Sequence, residues 1–239
     1  MRPVALVTGA SQGLGHALAV DLAAQGFAVA VHYRHNQRGA EETLAAILAH
    51  QGEAALFQAD LSCLDAANRL AQAVATGFGT LDLLVNNAGL YQTRMSLELT
   101  EAEWFEGLHS TVTQTYFTCR ACLPVLRTGT LKRIINIGDS GCDHPGSRDR
   151  ALSYHVGKTG VWMLTRTLAE SEAHLGVAVN MVSPGYLENS LDLPPPETLP
   201  AGRYGRFDDI VQAVRYLALE APAYLTGSNL VVSGGWNLR

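Results

Sequence analysis

Short apolar runs alternate with amphipathic stretches along the whole chain. The runs are Val4 to Val7, Phe27 to Val31, Ala54 to Phe57, Leu81 to Val85, Ile134 to Ile137, Val177 to Val182 and Leu230 to Val232. Within them polar and apolar residues do not alternate, as expected of strands covered on both faces. Between them lie helical patterns such as Leu14, Leu18 and Leu22 at i, i+4 spacing, and Leu164, Leu168 and Leu175 farther on. Strands separated by helices in this order predict an α/β fold: a doubly wound, seven-stranded parallel sheet with helices on both faces. One stretch breaks the pattern, Leu191 to Arg206, with Pro194-Pro195-Pro196 and Pro200. It reads either as an exposed loop or as a flap, within a substrate loop of about residues 186–206, over the crevice where such sheets bind ligands.

Composition narrows the picture. The 239 residues suit one domain spanning 1–239, because α/β folds commonly run to roughly 200–250 residues undivided. With 47% hydrophobic and 16% charged residues, disorder is excluded and a deeply buried sheet is favoured. Seventeen Lys and Arg against 22 Asp and Glu leave a net charge of −5, without the basic footprint of a nucleic-acid binder. The first apolar run is too short for a signal peptide and no later one could span a bilayer, so the expectation is a cytoplasmic protein with no membrane partner. Cys119 and Cys122 form a CxxC, but inside a helical pattern with no second ligand pair, and they read as ordinary packing. The eight histidines form no HExxH or comparable pattern, and no metal is expected.

Candidate chemistry begins directly after the first strand, where Thr8-Gly9-Ala10-Ser11-Gln12-Gly13-Leu14-Gly15 opens a helix. Small residues there let the backbone approach a pyrophosphate, whose charge meets unpaired amides and the helix dipole. A dinucleotide site is predicted, with Gly9, Ser11, Gln12, Gly13, Leu14 and Gly15 as its cradle. The second strand ends His32-Tyr33-Arg34-His35-Asn36, with no acid before Glu41 to take the ribose hydroxyls. Arg34 instead suits a 2′-phosphate, and the cofactor predicted is NADP(H).

Tyr154-His155-Val156-Gly157-Lys158 starts a long apolar-periodic helix, so Tyr154 and Lys158 share a face. An ammonium beside a phenol is expected to lower the phenol's pKa toward neutrality and make it a usable acid or base. Added to the glycine loop are Asp60-Leu61 after the third strand, Asn86-Asn87-Ala88-Gly89 after the fourth and Pro184-Gly185 after the sixth. Together these residues resemble, over the whole chain, the short-chain dehydrogenase/reductase family of the single-domain type.

The resemblance implies a Rossmann-like fold, a small-molecule substrate and a homotetramer or homodimer, with Glu101 to Arg127 and Tyr154 to His174 as dimer faces. The tail Ser233 to Arg239 would meet a neighbouring subunit, unless Trp236 caps its own domain. It implies that Gly9, Gly13 and Gly15 hold the pyrophosphate and Asp60 with Leu61 the adenine end. Asn87, Ala88 and Gly89 would serve the adenosine ribose region and the floor, with Pro184 and Gly185 beside the nicotinamide. Lys158 would hold the nicotinamide ribose and tune Tyr154, which delivers a proton while C4 of the nicotinamide gives a hydride.

The chain departs from the family in three places. The usual Ser after the fifth strand is replaced by Asp139 followed by Ser140, 15 and 14 residues before Tyr154. That spacing is slightly long and suggests an insertion within Gly141 to Ala151, and either residue could occupy the site. The Asn usual in the fourth helix is matched by Thr111. After Pro184-Gly185 the chain runs Tyr186-Leu187-Glu188-Asn189-Ser190, without the Thr that often contacts the nicotinamide amide.

An Asp in place of the Ser is a feature of the pteridine reductase branch. Tyr91, at the position of that branch's stacking aromatic, His32-Tyr33-Arg34 and Gln58 to Ser62 are similar to it as well, although Gly13 stands where that branch tends to carry Arg. The leading expectation is therefore an NADP(H)-dependent reductase of C=N or C=O in a small substrate, leaning toward a pterin bound by Tyr91, Asp139 and Tyr186. A second reading is a 3-oxoacyl-thioester or general carbonyl reductase, with Arg94, Arg148, Arg150 and Arg203 as a rim for an acyl carrier. A third is a catalytically silent NADP(H) sensor.

Overall fold

The computed structural model describes residues 2–144 and 146–237. Its strands are β1 (Val4–Val7), β2 (Ala28–Tyr33), β3 (Glu53–Gln58), β4 (Leu83–Asn86), β5 (Arg133–Ile137), β6 (Ala178–Pro184) and β7 (Asn229–Val232). They form one seven-stranded sheet in the order β3-β2-β1-β4-β5-β6-β7, parallel throughout, with Val7 level with Val31 on one side and Val85 on the other. The predicted fold class is thus the observed one. The helices are α1 (Gly13–Ala24), α2 (Gln37–Ala49), α3 (Leu64–Phe78), α4 (Glu101–Leu108), α5 (Gln114–Leu126), α6 (Leu152–Glu172) and α7 (Phe207–Arg215).

Alternate residues of β1 enter opposite layers, which is why the run reads as continuously apolar. Ala5 and Val7 pack with Leu18, Leu22, Ile47 and Ile210 beneath α1, α2 and α7. Val4 and Leu6 pack with Leu70, Val74, Cys122 and Leu126 beneath α3 and α5. Each such aliphatic side chain withdrawn from water contributes about 1.5–3 kcal/mol. Cys119 and Cys122 are buried in this second layer, and burial pushes the Cys119 thiol up to about 12 and the Cys122 thiol well above its ordinary value. They are packing residues, as expected.

A thread of polar side chains crosses the second layer and fixes α6 against the sheet. Asn86 donates to Asn136 at 2.8 Å, Asn136 to Thr165 at 2.8 Å, and Thr165 to the Val161 carbonyl at 2.8 Å. Buried amides are tolerated because each finds a partner, and losing one would leave the next unsatisfied. The order reverses at β1, whose neighbours are β2 and β4. The crevice at the C-terminal ends of these strands is the place such sheets offer a ligand.

Candidate active site

The glycine loop is shaped by contacts that leave no room for side chains. Gly9 has φ +63°, and a Cβ there would lie 2.9 Å from the Ala88 Cα; one at Gly15 would lie 2.2 Å from the Gly9 carbonyl oxygen. Backbone is thereby bared at the α1 N-terminus, the geometry a pyrophosphate requires. Three neighbours hold the loop. Thr8 Oγ1 accepts from the amides of Asn87 and Ala88, each at 3.0 Å. Asn87 Nδ2 donates to the carbonyls of Thr8 at 2.9 Å and Gly9 at 3.2 Å. Its Nδ2 is therefore engaged by the loop, while the residue still lines the cavity.

The third neighbour is His32. Its Nδ1 accepts from the Gly9 amide at 3.1 Å and its Nε2 faces the Ala59 carbonyl at 3.1 Å, which fixes a neutral tautomer. Burial pushes its pKa down from 6.5 to about 4. On the outer side, Asn36 donates to Gln12 at 3.0 Å and Thr43 to the Ala10 carbonyl at 2.9 Å.

Arg34 and Asp60 meet at the ends of β2 and β3, with Arg34 Nε 3.3 Å from Asp60 Oδ2. Burial acts to raise the Asp60 carboxyl, but bonds from the Ser62 hydroxyl and amide, with Arg34 beside it, outweigh this and hold it below its ordinary value. Half of the Arg34 side chain is exposed. Its terminal nitrogens make no hydrogen bond among the described residues, so the fork is free to bind a phosphate. The adjoining Leu61 is buried.

The strand ends open into a cavity of about 580 Å³ lined by Leu14, Asn87, Gly89, Pro184 and Gly185, with Tyr91, Asp139, Ser140, Tyr154, Lys158 and Tyr186 on its other walls. The candidate catalytic and substrate residues are therefore brought together. Lys158 is buried, donates to the Ile137 carbonyl at 2.6 Å and lies 5.6 Å from the Tyr154 ring centre. Burial lowers its pKa to about 8. The Tyr154 phenol departs from expectation: burial, then the charge of Asp139, then Tyr91, push it well above its ordinary value. In this pocket burial and the neighbouring charge favour the protonated phenol over a phenolate.

Asp139 and Ser140 are separated by their partners. Asp139 Oδ1 accepts from the Gly141 amide at 3.0 Å and lies 3.7 Å from His155 Nδ1. Burial acts to raise its carboxyl, but His155, the Gly141 amide and Lys158 together outweigh this and hold it below its ordinary range. The Ser140 hydroxyl is engaged by Asn237 Nδ2 at 3.3 Å. Tyr91 lines the cavity. Its ring meets that of Tyr154 edge-on at 5.1 Å and that of His155 at 6.0 Å.

Thr111 is buried and its hydroxyl donates to Gly107 at 2.6 Å within its own helix. The link to the floor comes from Gln114, which sequence reasoning missed. Helices α4 and α5 are joined by a π-type turn, His109–Thr113, and such a turn leaves carbonyls without their usual partners. Gln114 Nε2 donates to the Ala88 carbonyl at 2.7 Å and to the Ser110 carbonyl of that turn.

After Gly185 the chain follows the cavity wall through Leu187, Asn189, Ser190 and Leu191. Asn189 Nδ2 lies 3.4 Å from where a Gly13 Cβ would be. Leu187 bridges to Gly205, and Tyr204 donates to the Pro194 carbonyl at 2.8 Å, so the proline-rich stretch is a folded excursion. Trp236 packs on Tyr186 at 5.2 Å and lines the cavity of its own chain. The tail expectation for Leu238 and Arg239 lies outside the described residues.

Of the four arginines expected at a basic rim, Arg148 and Arg150 line the cavity. Arg94 pairs with Glu103 at 2.7 Å, Arg150 with Asp192 at 3.6 Å and Arg203 with Asp209 at 2.8 Å, while Arg148 turns to the carbonyls of Ser147 and Gly141. Among the described residues no group of His, Cys, Asp and Glu is arranged to hold a metal ion, and no helix is long and apolar enough to cross a membrane.

Residues 3–194 match the short chain dehydrogenase family. The chain belongs to that family of oxidoreductases, which use nicotinamide cofactors. It is 35% identical over 238 residues to a 3-oxoacyl-(acyl-carrier-protein) reductase of Synechocystis, covering 97% of this chain and 96% of the relative. A relative of the same description from Haemophilus influenzae is 31% identical, with 97% of each covered. Among solved structures, a double mutant of a Serratia marcescens short-chain dehydrogenase/reductase superposes with TM-score 0.88 at 30% identity, covering 98% and 97%. Acetoin dehydrogenase from Enterobacter cloacae superposes with TM-score 0.86 at 27% identity, covering 98% and 95%.

Proposed function

We propose that the protein is an NADP(H)-dependent reductase of the carbonyl group of a small substrate. The observation that carries this reading is the convergence of Tyr154, Lys158 and Asp139 on one cavity that begins at the glycine loop. The relatives' description as 3-oxoacyl-(acyl-carrier-protein) reductases supports a carbonyl over the pterin expected first. Arg148 and Arg150 at the cavity, Arg148 without an acidic partner among the described residues, leave an acidic carrier something to hold, so an acyl thioester stands beside a small free ketone as substrate. The Enterobacter neighbour's description, acetoin dehydrogenase, gives a precedent for a small ketone on this fold.

The cradle residues fit the nucleotide: Gly9, Ser11, Gln12, Gly13 and Gly15 would hold its pyrophosphate and Arg34 its 2′-phosphate. When bound, the reduced nicotinamide supplies a hydride. Lys158, held by Ile137, would present its remaining N–H groups to ribose hydroxyls from the floor of the cavity. Tyr154, kept protonated by burial and by Asp139, would give its proton to the carbonyl oxygen as negative charge develops there. Leu187 and Leu191, with Trp236, would exclude water.

The reading further proposes one domain over 1–239, a cytoplasmic location and a homodimer or homotetramer. Exposed apolar side chains on α4, α5 and α6, namely Phe105, Tyr116, Val156 and Met163, support association through those helices. The direct test is oxidation of NADPH and of NADH by the purified protein with an acetoacetyl thioester, small hydroxyketones and diketones, and a dihydropterin. Turnover of carbonyls with NADPH supports the reading, and turnover confined to the pterin overturns it.

A further inference from the structure

Asp139 is a charged acceptor in the cavity wall, and one of its two oxygens has no protein donor among the described residues. Its Oδ1 takes the Gly141 amide and faces His155. Its Oδ2 makes no hydrogen bond among the described residues, although three quarters of the side chain is buried. The Ser140 hydroxyl next to it is engaged by Asn237. The groups around the carboxylate come from several elements: Lys158 and His155 from α6, Tyr91 from the loop after β4, and Tyr186 from the loop after β6. Of these, Lys158 is occupied by Ile137 and His155 already faces Oδ1.

An ionised carboxylate accepts hydrogen bonds and donates none. It cannot assist an oxygen that is gaining negative charge, and so the reacting oxygen belongs on the Tyr154 side. What Oδ2 can hold is a donor hydrogen on the atom beside the reacting carbon. Resting on the carbonyl-reductase reading above, we infer that the preferred substrate is an α-hydroxy- or α-amino-carbonyl compound, its O–H or N–H held by Asp139 while its carbonyl oxygen meets Tyr154.

The chemistry balances without any change at Asp139. The carbonyl carbon receives a hydride from NADPH, which leaves as NADP⁺, and the C=O π pair takes the Tyr154 proton. A new C–H and a new O–H bond form, the donor hydrogen stays on its own atom, and the product is a vicinal diol or amino alcohol. His155 acts through Asp139 as a positioning residue: it fixes Oδ1 and so aims Oδ2 into the cavity.

The test compares an α-hydroxyketone with its O-methyl ether, which keeps the skeleton and removes the donor. A charge-assisted hydrogen bond predicts that kcat/KM for the hydroxyketone exceeds that for the ether by about 10- to 100-fold, and that Asp139→Asn and Asp139→Ser collapse the ratio to within about threefold. A ratio near one in the wild-type enzyme, or a ratio unchanged in both variants, overturns the inference. Calorimetric binding of the diol and of its monomethyl ether to the protein with NADP⁺ gives a readout independent of turnover. Preferential diol binding that needs Asp139, with neither ketone reduced, would uphold the subsite and reject the reductase reading. Equal reduction of both ketones would do the reverse.

Discussion

The ammonium of Lys158 donates to the carbonyl of Ile137 at 2.6 Å, and this bond ties the helix that carries Tyr154 to the strand that leads into Asp139. Burial of that ammonium, with its pKa brought to about 8, would be costly without the carbonyl. The same ammonium lies 5.6 Å from the Tyr154 ring centre. The acid and its charged neighbour are thereby fixed relative to one another before any ligand enters.

The free fork of Arg34 predicts the choice between the two nicotinamide cofactors. Replacing it in Arg34→Ala should raise the NADPH dissociation constant about 10- to 100-fold, the loss of a charge-assisted pair, with NADH binding changed less than about threefold. Titration of the nicotinamide fluorescence measures both. Equal loss for the two would show that Arg34 serves only Asp60.

Burial first, and then the charge of Asp139, raise the Tyr154 phenol pKa, so the anion contributes to the upper pH limit of reduction. Without the anion in Asp139→Asn, the phenol pKa falls and the proton donor is lost at lower pH. The alkaline limb of the kcat/KM profile should therefore move toward neutrality. A limb that stays in place would separate the titrating group from Tyr154.

His32 links cofactor loop and acid stability. It titrates near 6.5 when unfolded but near 4 when folded, so between those values the unfolded chain binds more protons. Stability is at its full value above about pH 6.5 and falls by about 3 kcal/mol as pH drops to about 4, levelling below that. Denaturant unfolding across this window should show the slope in the wild-type protein and a much shallower one in His32→Gln. The same variant loosens the Gly9 amide and is expected to weaken NADPH binding.

Gln114 ties the π-type turn to the cavity floor through the carbonyls of Ser110 and Ala88. Gln114→Leu keeps the size and removes both bonds, which should cost about 1–3 kcal/mol of stability. If the link also positions the floor, kcat should fall while KM for NADPH stays within about threefold. Gln114→Asn, whose amide is one methylene short, should restore stability only in part.

The fold was legible because its signals are local: continuous apolar runs for buried strands, glycines at the first turn, and Tyr154 four residues before Lys158 on one helical face. The placement of Tyr91, Asp139 and Tyr186 around one cavity followed from the strand ends that precede them. What the sequence hid depends on partners distant along the chain. The Asn87 amide turns to Thr8 and Gly9, and Gln114 supplies the link to the floor that Thr111 does not make. Neither contact leaves a periodic trace. Of the rim arginines, Arg94, Arg150 and Arg203 meet acids that the composition alone does not place beside them, and Arg148 meets carbonyls. The Tyr154 pKa was misjudged in direction because the neighbouring Lys158 is plain in the sequence, whereas burial and the approach of Asp139 exist only in the folded chain.

The most direct measurement is of Tyr154→Phe, by steady-state loss of reduced-nicotinamide absorbance alongside NADPH binding. A positioned acid contributes about 10²- to 10⁴-fold, so turnover should fall by that factor while the NADPH dissociation constant stays within about threefold. Turnover reduced less than about tenfold, with binding intact, would contradict Tyr154 as the proton donor.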